Sequence, residues 1–308
     1  MTAEKTPLRV GVIGLSEGNG HPFSFSALVN GYFETGWPAA GWDVIWRYLR
    51  ERDPAEFGFP GVSVTHAWTQ DAAVTAKLCA ACEIPNAVAD PADFIGQVDA
   101  VLLARDDFET HAALALPLLA AGLSVFVDKP LALDEAHLER FTPYLKRGQL
   151  MSCSGFRYAR ELDALRAGNV DLGELRLVRG AVLNDFERYG IHLLEAVCAA
   201  TRQLPVRVSP IPARHASLAI TLEGGTLFQL DALGSVPKTF RLDFWGTAGQ
   251  LSVDLHDNFS AFRRTLGHFF TMCRTQRPVV PPGETVQLMH TLTAGRRALA
   301  ENKTVEIP

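Results

Sequence analysis

The sequence predicts an α/β protein in two parts. The first is an N-terminal parallel sheet; the second is a C-terminal α+β domain with a largely antiparallel open sheet. Three observations carry this expectation. Short, almost wholly apolar runs at 8–14, 62–68, 98–104 and 124–127 alternate with helical patterns near 71–81 and 107–121. Such alternation builds βαβ units whose strands are buried on both faces. From about Met151 the texture changes, and β-like runs at 206–211, 218–222, 226–230, 240–245 and 251–254 succeed one another across glycine-bearing turns. A chain of 308 residues can bury two cores. The expected domains are 1–130 and 131–308, with the terminal segment able to pack back on the first.

The first strand ends at Gly14 and runs into Gly14-Leu15-Ser16-Glu17-Gly18-Asn19-Gly20-His21-Pro22. A glycine-rich turn between a strand and a helix N-terminus offers backbone amides to a pyrophosphate, and glycines let the ligand approach. Ser24 is a suitable N-cap for a helix at 25–30. Gly14, Ser16, Gly18, Asn19, Gly20 and His21 are therefore candidate dinucleotide contacts, with Ser24 a further polar partner. A plain glycine-rich loop is the alternative, and the position of the turn favours the binding role. Residues 32–61 interrupt the alternation with an aromatic-rich insertion, holding a predicted helix at 43–50 between Pro38 and Pro54. The second strand ends Trp68-Thr69-Gln70-Asp71, where a ribose-binding acid is usual. Asp71 is the one acid there, and a helix N-cap is its preferred reading. The cofactor expected is NAD or NADP, with NAD favoured.

The fourth apolar run is followed by Asp128-Lys129-Pro130, and Asp134 opens a polar helix. A lysine at the carboxyl end of a parallel strand points into the crevice where such sheets bind ligands. Its ammonium can hydrogen-bond a substrate hydroxyl and join a proton relay; the alternative is a surface turn. In the second domain a helix is expected at 159–167, and Gly190-Ile191-His192-Leu193-Leu194-Glu195 places His192 on an amphipathic helix as a candidate acid/base. Helical periodicity sets Arg188, His192 and Glu195 on one face. Arg157 and Tyr158 open the domain and are candidates for the same crevice. For Arg188 two readings stand equally: a fork for a substrate carboxylate, or a surface pair with Glu195 or Asp185. His66, His137 and His290 read as structural or exposed. Closing helices at 261–274 and 284–300 and a strand at 304–307 complete the pattern.

Composition narrows the class. Apolar residues make up 47% and charged residues 20%, as in ordinary globular proteins. A net charge of −5, without a basic run, gives no face for nucleic acid. Five cysteines fit reduced thiols in a cytoplasmic protein. Cys79 and Cys82, lacking a second Cys/His pair, read as buried apolar residues rather than a metal site, and no metal is expected. Residues 1–7 lack a signal-peptide core, and the apolar stretch 112–127 is broken by Pro117, Gly122 and Ser124. Neither a leader nor a membrane span is expected.

With these parts assembled, the chain resembles the Gfo/Idh/MocA family along essentially its whole length. Asp128-Lys129-Pro130 resembles the family's Glu-Lys-Pro. Ala104-Arg105-Asp106-Asp107 with His111 resembles the segment after its fourth strand, and Gly190-x-His192-x-x-Glu195 resembles its Gly-x-His-x-x-Asp. The segments at 18–22 and 68–71 resemble a subgroup associated with bacterial surface-sugar gene clusters. The resemblance implies an N-terminal Rossmann domain and an oxidoreductase acting on a CH–OH group of a sugar or sugar derivative. It adds Trp68, Thr69, Arg105, Asp106 and Lys129 to the expected cofactor contacts, and Arg157, Tyr158, Arg188 and His192 to those of the substrate. Lys129 and His192 are its implied catalytic pair, the Lys129–Pro130 bond is expected cis, and a homodimer or homotetramer is implied. A hydrolase or lyase with transient oxidation, or a non-catalytic sensor, are the alternatives. Three departures stand out: Ser16 at a fingerprint glycine, no terminal acid on the second strand, and Arg188 where the family often has an acid. Arg188 favours an acidic substrate.

Overall fold

The structure, a computed structural model, describes residues 7–308; the polar segment at 1–6 lies outside them. The chain divides into two compact units. One comprises Met1–Ala132, Glu139–Ser152 and Leu266–Val279, the other Leu133–Leu138, Cys153–Thr265 and Val280–Pro308.

In the first unit, β1 (Leu8–Ile13), with five of its six residues buried, leads to α1 (His21–Asn30). The insertion holds α2 (Asp43–Arg50), where the sequence predicts it. Then follow β2 (Val62–Trp68), α3 (Ala72–Ala81), β3 (Asn86–Ala87), β4 (Ala100–Leu103), α4 (His111–Ala120), β5 (Ser124–Val127), α5 (Glu135–Lys146) and β6 (Leu150–Met151). All six strands are parallel, in the order β3-β2-β1-β4-β5-β6. Ile13 pairs with Trp68 on one side and Leu103 on the other, and Leu103 pairs with Val127. The carboxyl ends of β2, β1, β4 and β5 therefore stand side by side, and the turns after them form one rim.

One helix start departs from expectation. α1 begins at His21, not Phe25, because Pro22 supplies a pre-set φ for a first helical turn. Ser24 consequently lies inside the helix, fully buried, with its hydroxyl 2.5 Å from that of Tyr48. It is not a phosphate partner. Asp71 is the N-cap of α3, accepting from Ala73 N at 2.8 Å.

The second unit begins with short turns and one α-helical turn, α6 (Asp163–Arg166), in place of the expected continuous helix at 159–167. The Arg166 guanidinium takes the carbonyl of Ala159, which a continuous helix would need for its own ladder, and that of Arg157 before it. β7 (Leu175–Val182), a five-residue π-helix at Phe186–Gly190, and α7 (Ile191–Thr201) follow. Next come β8 (Pro205–Pro210), β9 (Ala216–Leu222), β10 (Leu227–Ala232), β11 (Phe240–Gly246), β12 (Gln250–Asp254), α8 (Asn258–Thr275), α9 (Pro282–Glu301) and β13 (Val305–Glu306). The sheet order is β12-β11-β7-β10-β9-β8-β13, antiparallel except for the β7–β10 pair. Among the described residues no helix is long and apolar enough to cross a membrane.

Candidate active site

On the first unit, the rim residues form one polar network. Lys129 follows β5, is 4% exposed, and its Nζ lies 3.3 Å from Asp106 Oδ2 after β4. Asp106 Oδ1 accepts the Ser16 hydroxyl at 2.6 Å, so the glycine-rich turn is tied to the same carboxylate. Burial raises the Asp106 pKa, but the Lys129 ammonium, the Ser16 hydroxyl, His21 and Asn19 outweigh it and hold the group at about 2. Asp128, also buried, accepts from Asn19 Nδ2 at 3.1 Å and lies 2.5 Å from His21 Nδ1. Burial opposes its charge, and His21 and Lys129 together keep its pKa below the usual carboxylate range. His111 is fully buried, with one ring nitrogen 3.0 Å from Leu131 O and the other 2.9 Å from Arg105 O. It fastens the segment bearing Lys129 to the one bearing Asp106, and burial lowers its pKa. The Lys129–Pro130 bond is cis.

Other expected cofactor contacts are engaged in bracing the rim. Trp68 donates its indole N–H to Ala89 O at 3.1 Å, and the Thr69 hydroxyl donates to Asp71 O at 2.7 Å. Arg105 is bound by Asp107 and by Gln70 Oε1, and Gln70 also accepts from Leu15 N and donates to Leu15 O. Gln70, absent from the sequence-derived site, thus holds the entry to the turn.

The residues fit a dinucleotide at the turn itself. Asn19 Oδ1 caps the His21 amide at 2.8 Å, and Pro22 has no N–H. Among the described residues, the Ser16, Glu17 and Gly18 amides have no acceptor. Gly18, at φ 74°, has open space where a Cβ would stand. A run of amides without protein acceptors beside the positive end of α1, exposed at Glu17 and Gly18, suits an anionic pyrophosphate. Lys129 and His21 sit against the nearby Asp106 and Asp128 carboxylates, which limits repulsion.

On the second unit, His192 lies in the first turn of α7. Its Nδ1 is 2.6 Å from the Ser154 hydroxyl, and its ring packs among Phe156, Tyr189 and Phe240. Arg157, expected beside the substrate, is 8% exposed, with its guanidinium bound by Glu195 at 2.9 Å and by Glu284. Burial opposes that charge, but Glu195 and Glu284 hold Arg157 protonated. Tyr158 is half-buried, and burial raises its hydroxyl pKa.

Arg188 occupies the π-helical turn, and its amide donates to Asp185 Oδ1 at 2.7 Å. The common face predicted for Arg188, His192 and Glu195 is broken. A π-turn advances by i→i+5 and shifts residues before it out of the α-helical register. Glu195 is 1% exposed and faces Arg157, so the Arg188–Glu195 surface pair is not formed. Ser154, Glu195 and Glu284 were not legible as one group because they lie 38 or more residues from some of their partners.

Residues 43–156 match the sequence model described as the oxidoreductase family, NAD-binding Rossmann fold. That segment includes β2 to β6, Asp106, Lys129 and Ser154, and begins after the glycine-rich turn. A protein of Amycolatopsis mediterranei (strain S699), named as a UDP-kanosamine synthase oxidoreductase subunit, is 33% identical over 144 residues. The match covers 46% of this chain and 37% of that relative's length. Among solved structures, myo-inositol 2-dehydrogenase from Lactobacillus plantarum superposes with a TM-score of 0.78 at 16% identity, covering 98% of this chain and all of the other. Scyllo-inositol dehydrogenase from Lactobacillus casei, with bound NAD(H) and scyllo-inositol, gives a TM-score of 0.73 at 14% identity, covering 98% and 99%. These likenesses show a shared fold. Residues 43–156 thus match the NAD-binding Rossmann-fold model of the oxidoreductase family, and the chain shares the fold of these dehydrogenases along nearly its whole length.

Proposed function

We propose that the protein is an NAD- or NADP-dependent oxidoreductase acting on a secondary hydroxyl, or the matching carbonyl, of a sugar or polyol. The observation that carries this reading is Lys129, a buried ammonium at the carboxyl end of β5, ion-paired to Asp106 beside the glycine-rich turn. A nicotinamide dinucleotide, when bound, supplies the hydride acceptor or donor. The Ser16, Glu17 and Gly18 amides would hold its pyrophosphate. Asp106 remains ionised at neutral pH and gives Lys129 a fixed counter-charge, so the lysine is oriented before substrate arrives. Lys129 would donate a hydrogen bond to the reacting oxygen, and His192 is proposed as the acid/base group that the second unit contributes to the reaction. Arg188 is proposed as the contact for a substrate carboxylate, now without Arg157, whose guanidinium is already bound by two acids.

The test begins with calorimetric titration of the four nucleotides, NAD and NADP in both redox states. Binding of at least one, with turnover on an inositol, neutral sugar or uronate panel, is the expected result. Absence of binding by all four at millimolar concentration would sink the reading. For substrate charge, Arg188→Met should lower kcat/KM on a uronate more than on its neutral counterpart. A neutral sugar as best substrate, unaffected by that change, would remove Arg188 from the site.

A further inference from the structure

The Ser154–His192 contact fixes more than the place of a ring. Ser154 is fully buried, and its Oγ is 2.6 Å from His192 Nδ1 and accepts the Phe156 amide at 3.2 Å. These are the two partners of the hydroxyl among the described residues. The amide uses one oxygen lone pair, which leaves the hydroxyl hydrogen with Nδ1 as its acceptor. In the reverse arrangement, with Nδ1–H donating to Oγ, the buried serine hydrogen would have no acceptor, an outcome that folded proteins strongly avoid.

The serine is itself held in place. It caps the short turn Gly155–Tyr158, accepting the Phe156 amide. Gly155 cannot be replaced freely, because a Cβ there would stand 2.7 Å from the Phe262 ring. The imidazole is confined by Phe240, edge-on at 5.3 Å and 86°, and by Phe156 and Tyr189 at 5.6 and 6.1 Å. Ring rotation that would exchange the two nitrogens has to displace these aromatics.

We infer that Ser154 is a positioning residue that donates its hydroxyl hydrogen to His192 Nδ1, so that neutral His192 carries its proton on Nε2. His192 then meets a substrate oxygen as a hydrogen-bond donor. The consequence for substrate rests on the proposed function, whereas the assignment of the proton rests on the second unit alone.

The experiment is two-bond 1H–15N correlation NMR on the full-length, 15N-labelled protein at pH 8, with His192 assigned from its absence in His192→Gln. In the wild type, Nδ1 should resonate as an unprotonated nitrogen and Nε2 as a protonated one. Ser154→Ala should move both signals toward the averaged positions of a tautomer mixture, and Ser154→Thr should restore them. A protonated Nδ1 in the wild type overturns the inference, as does a Ser154→Ala spectrum matching wild type. Should Ser154→Ala fail to fold, the wild-type and Ser154→Thr spectra still decide. Altered ring signals with undiminished turnover would support the serine's role while removing His192 from the proposed chemistry. Altered signals with a lower kcat and unchanged nucleotide affinity would support both.

Discussion

Lys129 and Asp106 stand on adjacent parallel strands' ends, 3.3 Å apart from ammonium nitrogen to carboxylate oxygen, with side chains 5% and 13% exposed. The carboxylate that orients the lysine also accepts the Ser16 hydroxyl. A change at either acid or lysine is therefore felt in the glycine-rich turn.

Replacing Lys129 by Ala should lower turnover by a factor on the order of 10² or more, because the positioned donor is lost. Nucleotide affinity should change much less, since the turn amides are retained. Steady-state kinetics and calorimetry on the same preparation check this; a variant with near-wild-type kcat removes Lys129 from the chemistry.

Asp106 predicts an acid limb in stability. Its pKa falls from 3.8 to about 2 on folding, so its contribution is fully present above pH 4 and is lost as pH falls from 4 toward 2. The shift corresponds to about 2 kcal/mol at most, with partial exposure reducing it. Urea midpoints between pH 6 and 2.5 should fall more steeply for wild type than for Asp106→Asn. Parallel curves would contradict the assignment.

Gly18 and Gly122 offer a matched pair. Both have positive φ, 74° and 94°, and both have open space where a Cβ would stand. Alanine at either should cost about 1 kcal/mol of stability through backbone strain. Only Gly18→Ala should weaken nucleotide binding, by about tenfold, equivalent to the loss of one good contact. Equal affinities for the two variants would move the pyrophosphate site away from the turn.

Arg157 is predicted to act on stability. Arg157→Met leaves Glu195, 1% exposed, without its guanidinium, and an uncompensated buried charge costs about 3–5 kcal/mol. Thermal melts should show a large loss in the single variant and partial recovery in Arg157→Met/Glu195→Met. A near-neutral single variant would mean that Glu195 is protonated in the folded protein.

Much of the first unit was legible because its signals are local. Apolar runs identified β1, β2, β4 and β5, and Asp71 was readable as a cap from its place before a helical pattern. The two-residue strands β3 and β6 carry no period of their own and exist through pairing with β2 and β5. β7 was missed although it is central to the second sheet. Arg176 and Arg179 on its exposed positions obscured an alternation that Val178, Gly180 and Val182 complete on the buried side. Lys129, Asp106 and His192 came from motif positions, whereas their support did not. Gln70 braces Leu15 from 55 residues away, and Glu284 reaches Arg157 across 127. No sequence periodicity spans such distances.

The segment Leu266–Val279 belongs to the first unit. There Phe269 packs edge-on against Phe126 of β5 and Phe270 against Phe59. Synthesis runs from the N-terminus, so β1 to β6 leave the ribosome long before these two phenylalanines exist. Until then the apolar surface around Phe126 and Phe59 has no permanent cover. The parallel-sheet half of the chain is thus made first and closed late, and in the interval its apolar surface is open to aggregation.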